Sequence, residues 1–405
     1  MMQRFLFFLL FAITLFLMSC ENPKESRNWK QASWQEIEQQ ANGTTVNFMM
    51  WQGSPIVNDY INNYVKPTLK EKHNITLNIS SGQGPEIVQL MMGEKQAGSE
   101  KGQVDMVWIN GETFFQLRKI EGLWGPFTEK LPNSQYIDFN NPFIGIDFQQ
   151  EINGMECPWG INQFAFVYDS IKTPAPPKTL AELETFVKVN PGTFTISNDF
   201  SGMTLLKCYM AELSGSPDGL DGEFDQQKYD TLSTQLWEYI NRNRKYFWKE
   251  GQTFPKEHSK MDQMFSSGEI LLTYGFSEGG IEEKVLQGLF PESTKGYAWK
   301  NGTILNSNYL GITYNATNKA GAMQVINFLI SPEAQLKRAE PSGMNANPVL
   351  DISKLPTEYK DKFEKITARQ YGPSLDELSE NAIKEPAPEY MLNIYEDFRT
   401  YVIEK

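Results

Sequence analysis

The sequence predicts an α/β protein of two lobes with a cleft between them. Apolar strands alternate with helices in residues 45–109, and the same alternation restarts at residue 163. Strands joined by helices form parallel sheets with right-handed crossovers, and such sheets bind ligands beyond the carboxyl ends of their strands. Two alternating units in tandem therefore predict two lobes whose strand ends face a shared groove.

The elements of the first unit follow from helix caps and from periodicity. Ser33 and Glu36 have the spacing of a capping box, which predicts a helix that ends near Ala41. Ser54 is expected to cap a second helix, with Pro55 in its first turn. The predicted strands of this unit are residues 45–50, 75–79 and 104–109, and a further helix is predicted at residues 84–96.

An irregular excursion separates the two units. Residues 122–160 are rich in proline, glycine and aromatic residues, and they are too apolar for a disordered linker. The second unit restarts after it, with helices predicted to begin at Thr179 and Ser201. The remaining predicted elements are strands at 163–168, 192–197, 269–274 and 308–314, and helices at 227–248, 320–330, after Ser331 and at 390–402.

The N-terminus has the pattern of a bacterial export signal. A single charge, Arg4, precedes an apolar run that is too short to span a membrane comfortably. Residues 1–19 are therefore predicted to be removed, Cys20 to be lipidated as in bacterial lipoproteins, and residues 20–32 to form a tether. An N-terminal anchor helix is the alternative. Both predictions put the domain in the cell envelope, facing the periplasm or the exterior.

Composition excludes several classes of partner. The formal net charge of −13, which becomes more negative once Arg4 is removed, argues against nucleic acid and anionic lipid. The two histidines, His73 and His258, lie far apart, and the sequence lacks the spacings of zinc sites, so neither a metal nor a cofactor is expected. Cys157 and Cys208 form either one disulfide or two buried thiols, and a core of this size favours the thiols.

Several short motifs together resemble one protein family. They are VNFMMWQG at 46–53, DMVWINGE at 105–112, PWGINQF at 158–164, NYLGI at 308–312 and GMNANPV at 343–349. In this order and spacing they resemble the bacterial extracellular solute-binding proteins, and more narrowly the YnjB-like branch. The resemblance implies the type II-like periplasmic-binding-protein fold, in which two lobes close on a ligand.

The resemblance also implies a division of the chain and a role. Lobe 1 is expected to take residues 33–160, lobe 2 residues 161–307, and residues 308–405 to return to lobe 1 as helices. Crossover strands near 158–166 and 303–312 are expected to form the hinge. The implied role is that of a monomeric protein that delivers a small molecule to an ABC permease and its ATPase.

The candidate ligand residues lie at the strand ends and in the hinge. The tryptophans among them either stack on a ligand or cover a sheet end as core. Glu112 either binds a ligand or complements a helix dipole, and Ser201 with Gly202 either holds an anion or forms an ordinary helix start. The full set is Trp51, Ser54, Trp108, Asn110, Gly111, Glu112, Trp159, Asn162, Gln163, Ser201, Gly202, Tyr274, Ser277, Glu278 and Tyr309.

Three classes of function fit a chain in this location, and a binding protein without catalysis is favoured. A hydrolase that uses Glu112 and Glu278 as paired carboxylates is the second, and an adhesin, which would more often show repeats, is the third. Aromatic candidates beside carboxylates predict a small cationic ligand, thiamine-like before polyamine. A phosphorylated or sulfonated ligand at Ser201 remains the alternative, and ferric iron is disfavoured because the sequence has no adjacent tyrosine pair.

Overall fold

The structure is a computed structural model of the chain, and it describes residues 28–276, 278–366, 370–373 and 375–405. The predicted signal, the predicted lipidation site Cys20 and most of the predicted tether lie outside the described residues. Among the residues that are described, no helix has both the length and the apolarity needed to cross a membrane.

The described helices and strands follow one another in a mixed α/β order. The helices are α1 (Trp34–Ala41), α2 (Pro55–Asp59), α3 (Lys66–His73), α4 (Gly84–Gln96), α5 (Gly111–Lys119), α6 (Leu180–Val189), α7 (Phe200–Leu213), α8 (Gln226–Asn243), α9 (His258–Ser266), α10 (Glu278–Leu286), α11 (Lys319–Leu329), α12 (Pro332–Ala339), α13 (Thr357–Glu364), α14 (Leu375–Glu380) and α15 (Pro388–Phe398). The strands are β1 (Thr45–Met50), β2 (Thr76–Ser81), β3 (Met106–Ile109), β4 (Leu123–Trp124), β5 (Ile146–Asp147), β6 (Gln150–Glu151), β7 (Glu156–Gln163), β8 (Ala165–Asp169), β9 (Leu272–Gly275), β10 (Thr294–Tyr297), β11 (Thr303–Thr313) and β12 (Ala382–Ile383).

The helix starts predicted at Ser33, Ser54, Thr179 and Ser331 are confirmed, whereas the one predicted at Ser201 is not. Ser33 accepts from the Glu36 N–H while Glu36 accepts from the Ser33 N–H, which completes the capping box of α1. Ser54 accepts from the Val57 N–H at the start of α2, and Ser331 caps α12 in the same way. A π-helical turn over Tyr60–Val65 joins α2 to α3. These helix starts could be predicted from the sequence because each capping residue satisfies backbone donors that the start of a helix leaves free.

The first lobe is built on a sheet with the strand order β12-β11-β3-β1-β2. Its strands β2, β1 and β3 are parallel, as the sequence predicts, and β11 joins them antiparallel to β3. Apolar side chains cover both faces of the sheet. One face carries Phe48 and Met106 under α1 and α11, and the other carries Val107 and Ile109 under α4 and α5. The carboxyl ends of β1 and β3 thus open onto one edge of the lobe.

The second lobe has a different sheet from the predicted one. In the described part of this lobe the sheet runs β10-β8-β9 and is antiparallel, whereas a parallel α/β unit was expected. Residues 192–197 were predicted as one of its strands, but this described segment is a buried extended stretch outside the sheet. Its backbone bonds to Trp248, Leu271 and the Tyr274 hydroxyl instead. The sequence pattern, an apolar run bounded by glycine, is the same for a strand of a sheet and for a buried extended segment outside the sheet.

The hinge is formed by β7 and β11, which pair antiparallel over most of their length. β7 leaves the first lobe and continues into β8 of the second, and β11 returns the chain to the first lobe. Both crossings fall where the sequence predicts them. A third crossing, which the sequence did not reveal, follows α13, because Phe363 packs on the core of the first lobe and Tyr371 on the core of the second.

The C-terminal segment does not return wholly to the first lobe. Helices α11 and α12 pack on the first-lobe core as expected. Helix α15, however, contributes Tyr390, Ile394 and Phe398 to the core of the second lobe. The sequence showed that this helix has an apolar face, but it did not show which lobe supplies the complementary surface.

A β-hairpin projects from the excursion between the two units. Its strands are β5 and β6, and its two-residue turn is Phe148–Gln149, both with positive φ (45° and 61°). Two consecutive positive φ values are typical of the tight turns that match the twist of a hairpin. The Phe148 side chain is buried in the core of the second lobe, although the hairpin grows from the first.

Candidate functional site

Three tryptophans form a row from the surface to the hinge. Trp51 follows β1 and is 40% exposed, and its ring meets the ring of Trp108 edge-on with centroids 6.2 Å apart. Trp108 meets Trp159 edge-on at 5.0 Å, and Trp159 is 1% exposed. We call Trp51, Trp108 and Trp159 the tryptophan row. Its outer end offers an aromatic surface to solvent, and its inner end belongs to the hinge strand β7.

The inner end of the row is fixed from behind by α12. The Arg338 guanidinium carbon lies 5.6 Å from the centroid of the Trp159 ring, and Arg338 donates to the Asn347 carbonyl. A side chain on Gly160 would come within 2.3 Å of Arg338 Nη2, so the missing side chain makes room for this contact. Gln335 donates to the Trp159 carbonyl at 2.8 Å. The positive charge therefore lies at the buried end of the row, away from Trp51.

Glu112 lies at the start of α5, close to charged residues of the other lobe. Its Oε2 is buried and has no hydrogen-bond partner among the described residues. Burial raises the pKa of Glu112 to about 7, while the backbone N–H of the helix start and the Lys207 ammonium oppose that rise and Glu385 adds to it. Lys207 belongs to the second-lobe helix α7. The carboxyl group therefore lies close to the interface between the lobes.

The neighbours of Glu112 in its motif are placed by packing. Gly111 lies under the Phe148 ring, where a Cβ would approach Phe148 Cδ2 to 2.0 Å. Asn110 is the residue before α5, and its side chain accepts from the Thr113 hydroxyl at 3.4 Å. Asn110, Gly111 and Glu112 were expected to face a ligand together at this strand end. Gly111 instead packs against the hairpin.

The start of α7 already holds a carboxylate. Helix α7 begins at Phe200 and not at Ser201, because Asp199 is its cap. Asp199 Oδ1 accepts from the Gly202 N–H at 3.0 Å and from the Ser197 hydroxyl at 2.7 Å. The backbone donor that one of the two alternatives assigned to an anionic ligand is therefore used by the chain itself.

Phenylalanines line the corresponding part of the second lobe. Phe276 follows β9 and is partly exposed, and its ring lies 5.6 Å from Phe200 and 5.3 Å from the hinge residue Phe164. Sequence reasoning missed these rings because phenylalanine in an α/β core is ordinary. Their one distinguishing signal was position, directly after a strand and at the start of a helix.

A buried ion pair lies behind these rings. Lys207 and Glu385 are 0% and 5% exposed and form a salt bridge, and Asn306 donates to the second Glu385 oxygen at 2.9 Å. The Lys207 ammonium lies 4.5 Å from the centroid of the Phe148 ring. Sequence reasoning missed this pair too. Its available signal was a single charged residue inside the otherwise apolar run of α7.

Helix α15 enters the region between the lobes. It packs against both α5 of the first lobe and α7 of the second. Burial raises the pKa of Tyr395 well above its usual value, and the Glu112 and Asp199 carboxylates raise it further. Tyr395 therefore lies near a carboxylate from each lobe, a contact that the predicted return of this helix to the first lobe would not give.

Three predicted ligand residues belong to the core. The Gln163 amide donates to Thr303 Oγ1 and to the Leu378 carbonyl, the Tyr274 hydroxyl accepts from the Ser197 N–H at 2.7 Å, and the Tyr309 hydroxyl donates to the Ile144 carbonyl at 2.8 Å. All three side chains are buried. Alternation along a strand decides which face a side chain takes, and strand ends alone did not reveal it.

The remaining candidate residues are either half-buried or not fully described. Asn162 is half-buried on β7 opposite Asn306, and Ser54 is half-buried as the cap of α2. Glu278 begins α10, but its side chain lies outside the described residues, as does the whole of Ser277.

A groove and a small cavity lie outside the tryptophan row. A groove of about 660 Å³ runs between α8 and α15, and none of the residues described above lines it. A cavity of about 10 Å³ lies between the hairpin and β11 and is lined by Asp147 and Glu385. The second has room for about one water molecule. Cys157 and Cys208 are free, buried thiols in different cores.

Comparisons with known proteins agree with this architecture. Residues 63–366 match the family model described as bacterial extracellular solute-binding protein. The chain is 33% identical over 350 residues to protein YnjB of Escherichia coli K12, which covers 85% of this chain and 90% of that protein.

Two solved structures of low identity share the fold. The spermidine/putrescine ABC transporter substrate-binding protein PotD from Streptococcus pneumoniae is 13% identical, with a TM-score of 0.62 over 88% of this chain and 99% of that chain. The periplasmic binding protein AfuA from Actinobacillus pleuropneumoniae, with fructose-6-phosphate bound, is 13% identical, with a TM-score of 0.61 over 89% and 98%. The predicted two-lobed periplasmic-binding-protein fold is thereby confirmed.

Proposed function

Because the chain belongs to the bacterial extracellular solute-binding proteins, we propose that it captures a small organic cation between its lobes and delivers it to an ABC import permease and ATPase. A thiamine-like compound is the first candidate and a polyamine the second. The protein acts as a monomer without catalysis or a cofactor, and a lipid on Cys20 holds it at the membrane.

The observation that carries this proposal is the carboxyl group of Glu112. One of its oxygens is buried at the interface of the lobes and finds no donor within the described part of the chain. A buried carboxylate that lacks a donor is costly, and a ligand cation that pairs with it removes that cost. The raised pKa, about 7, reflects the same cost in the ligand-free protein.

The tryptophan row supplies the second element. An organic cation over an aromatic ring gains up to about 2 kcal/mol where water is excluded. Trp51 and Trp108 have the required exposure, and the one positive charge described beside the row, that of Arg338, lies at its buried end. The partly exposed rings of Phe200 and Phe276 offer apolar surface on the other lobe.

An anionic ligand is the competing proposal. The fold accommodates one, since AfuA is seen with fructose-6-phosphate. The site expected for it in this chain, however, is the start of α7, where Asp199 accepts from the Gly202 N–H. A second carboxylate or a phosphate there would be repelled by the first.

Calorimetric titration tests the ligand class, with thiamine, spermidine and fructose-6-phosphate as probes. We expect Trp51→Ala and Glu112→Gln each to weaken cation binding about tenfold, or about 1.4 kcal/mol. Trp248→Ala, at a half-buried position of the second lobe, and Glu121→Gln, at an exposed position, are the matched controls outside the tryptophan row and should bind as the parent does. Tight binding of the phosphate with no response to Trp51→Ala or Glu112→Gln would contradict the cation proposal and leave only the family assignment.

A separate incubation assay tests the hydrolase alternative. A carboxyl group with a pKa near 7 is suited to general acid catalysis, so Glu112 deserves a direct assay. We expect bound thiamine or spermidine to be recovered unchanged after long incubation. Chemical conversion that Glu112→Gln abolishes would show an enzyme.

The membrane anchor has its own test. Cys20→Ser should release the protein from the membrane fraction or leave the signal uncleaved, and it should not change ligand affinity. Correct cleavage with unchanged membrane attachment would exclude the lipid.

A further inference from the structure

The β5–β6 hairpin connects the two lobes. At its base, Arg118 of the first lobe donates to the Glu151 carbonyl. At its tip, Gln149 donates to the Glu385 carbonyl at 2.6 Å and accepts from the Gly222 N–H at 3.1 Å. Phe148 beside it is buried in the core of the second lobe. Rotation that opens the cleft must therefore pull this tip out of the second lobe.

The backbone of the docked tip is held in an unfavourable conformation by its surroundings. Phe148 and Gln149 both have positive φ, which is unfavourable for residues with a Cβ and persists only where the surroundings determine it. The surroundings here are the bare backbone of Gly111 on one side and the Lys207 ammonium on the other. Contacts from both lobes thus hold the tip in place.

Two acids lie directly beneath the tip. Asp147 and Glu156 are 2% and 0% exposed, and their carboxyl groups lie within hydrogen-bonding reach of each other. In the described parts of the chain, Asp147 Oδ2 and both Glu156 oxygens have no hydrogen-bond donor. Two buried carboxylates in contact cannot both be ionised, so a proton on one must bond to the other.

The charges around this pair are mostly negative. Asp147 faces Glu112 of α5, Glu385 before α15 and the Lys207 ammonium of α7. Glu156 faces the Arg118 guanidinium, and the Tyr309 hydroxyl and the Cys157 thiol lie beside the pair. Burial, with the neighbouring acids, raises the pKa of Asp147 and of Glu156 well above their usual values.

We propose that Asp147 and Glu156 form a proton-binding site whose shared proton keeps the hairpin tip docked in the second lobe, so that opening of the cleft is linked to proton release. The proposal rests on the proposed function only in assuming that the lobes open for a solute. The identity of the solute plays no part in it.

The sign of the effect follows from linkage. The docked form holds a proton that the undocked, solvated acids lose at a pH near 4. Docking is therefore strongest in acid and weakens as the pH rises through the raised pKa values of the pair. Ionisation would put two negative charges beneath a tip that already lies near Glu385 and Glu112.

Hydrogen exchange of the ligand-free, full-length protein in detergent tests this. The readouts are the amides of residues 145–155 and that of Gly222, each corrected for its intrinsic exchange rate. We expect protection to fall about tenfold between a pH of about 5.5 and a pH of about 8.5. Glu156→Gln should keep the tip protected at both values, because its amide donates to the Asp147 carboxylate without needing a proton. Glu151→Gln, an exposed acid of the same hairpin, should behave as the parent does.

Several results would overturn the proposal. They are protection that does not change with pH in the parent, a Glu156→Gln variant with the parent's pH dependence, and loss of that dependence in Glu112→Gln instead. If Glu156→Gln does not fold, Asp147→Asn takes its place with the same expectation. Since no solute is present, absence of cation binding in calorimetry would contradict the proposed function and leave this result standing.

Discussion

The two faces of the hinge carry opposite chemistry, although the same strands form both. Side chains alternate along β7, so Cys157 and Trp159 take one face and Glu156 takes the other. The first face leads through the tryptophan row to Trp51, which is 40% exposed. The second face leads to Asp147 beneath the hairpin and is sealed.

This difference separates two kinds of binding. The open face offers aromatic rings to a molecule that arrives from solution, and its outer residues are replaceable without loss of the core. The sealed face holds acids that are at most 2% exposed, beside a cavity with room for about one water molecule, so the ion that it accommodates is a proton. Substitutions on the two faces should therefore differ in what they change.

The largest expected effect separates the two ends of the tryptophan row. Trp159→Ala should lower the free energy of unfolding by about 4 kcal/mol, because it leaves a cavity in the hinge. Trp51→Ala should change it by less than about 0.5 kcal/mol, since Trp51 lies outside the buried core and is 40% exposed. Urea unfolding followed by circular dichroism measures both. Equal losses would mean that the row is core throughout and that its outer end is not a ligand surface.

The next effect concerns the buried ion pair behind the sealed face. Lys207→Met should cost about 3 kcal/mol of unfolding free energy, because Glu385 keeps only the Asn306 donor for its charge. The exposed pair of Lys72 and Glu333 is the control, and Lys72→Ala should cost less than about 1 kcal/mol. A neutral or stabilising Lys207→Met would show that the buried pair adds no net stability.

The smallest effect depends on pH. The folded protein holds a proton on Glu112 up to a pKa of about 7, and the unfolded chain loses it near pH 4.5, so stability falls as the pH rises through that window. Glu112→Gln removes this loss. Unfolding at pH 8 should show the variant about 2 kcal/mol more stable than the parent, and unfolding at pH 4 should show no difference. A constant difference at both values would mean that the charge of Glu112 is not what burial penalises.

Local signals made much of the fold predictable. The caps Ser33, Ser54 and Ser331 and the alternation of β1 to β3 are properties of a few neighbouring residues, and they made the first lobe predictable, whereas the hinge crossings were implied by the family resemblance. The antiparallel second sheet and the place of α15 depend on partners that are distant in sequence. Neither periodicity nor capping carries that information.

The candidate site was predictable in part for the same reason. Trp51, Trp108 and Glu112 were predicted from their position at strand ends, which topology fixes, and their role in ligand binding stays a prediction. Tyr274 and Tyr309 were predicted to be ligand residues, but their side chains are buried. Alternation along a strand decides which side chains are buried, and the strand ends did not show it. The hairpin tip could not be anticipated, because residues 122–160 lack a period and their docking on the second lobe is a tertiary contact.

The two free cysteines give each lobe its own reporter of unfolding. Cys157 is buried in the first core and Cys208 in the second, and burial raises the pKa of both thiols, that of Cys208 to about 12. A thiol reagent reacts with the thiolate, so neither residue is modified until its own lobe exposes it. Pulse alkylation during denaturation, read by mass spectrometry at each cysteine, would therefore show whether the lobes lose structure together or one before the other.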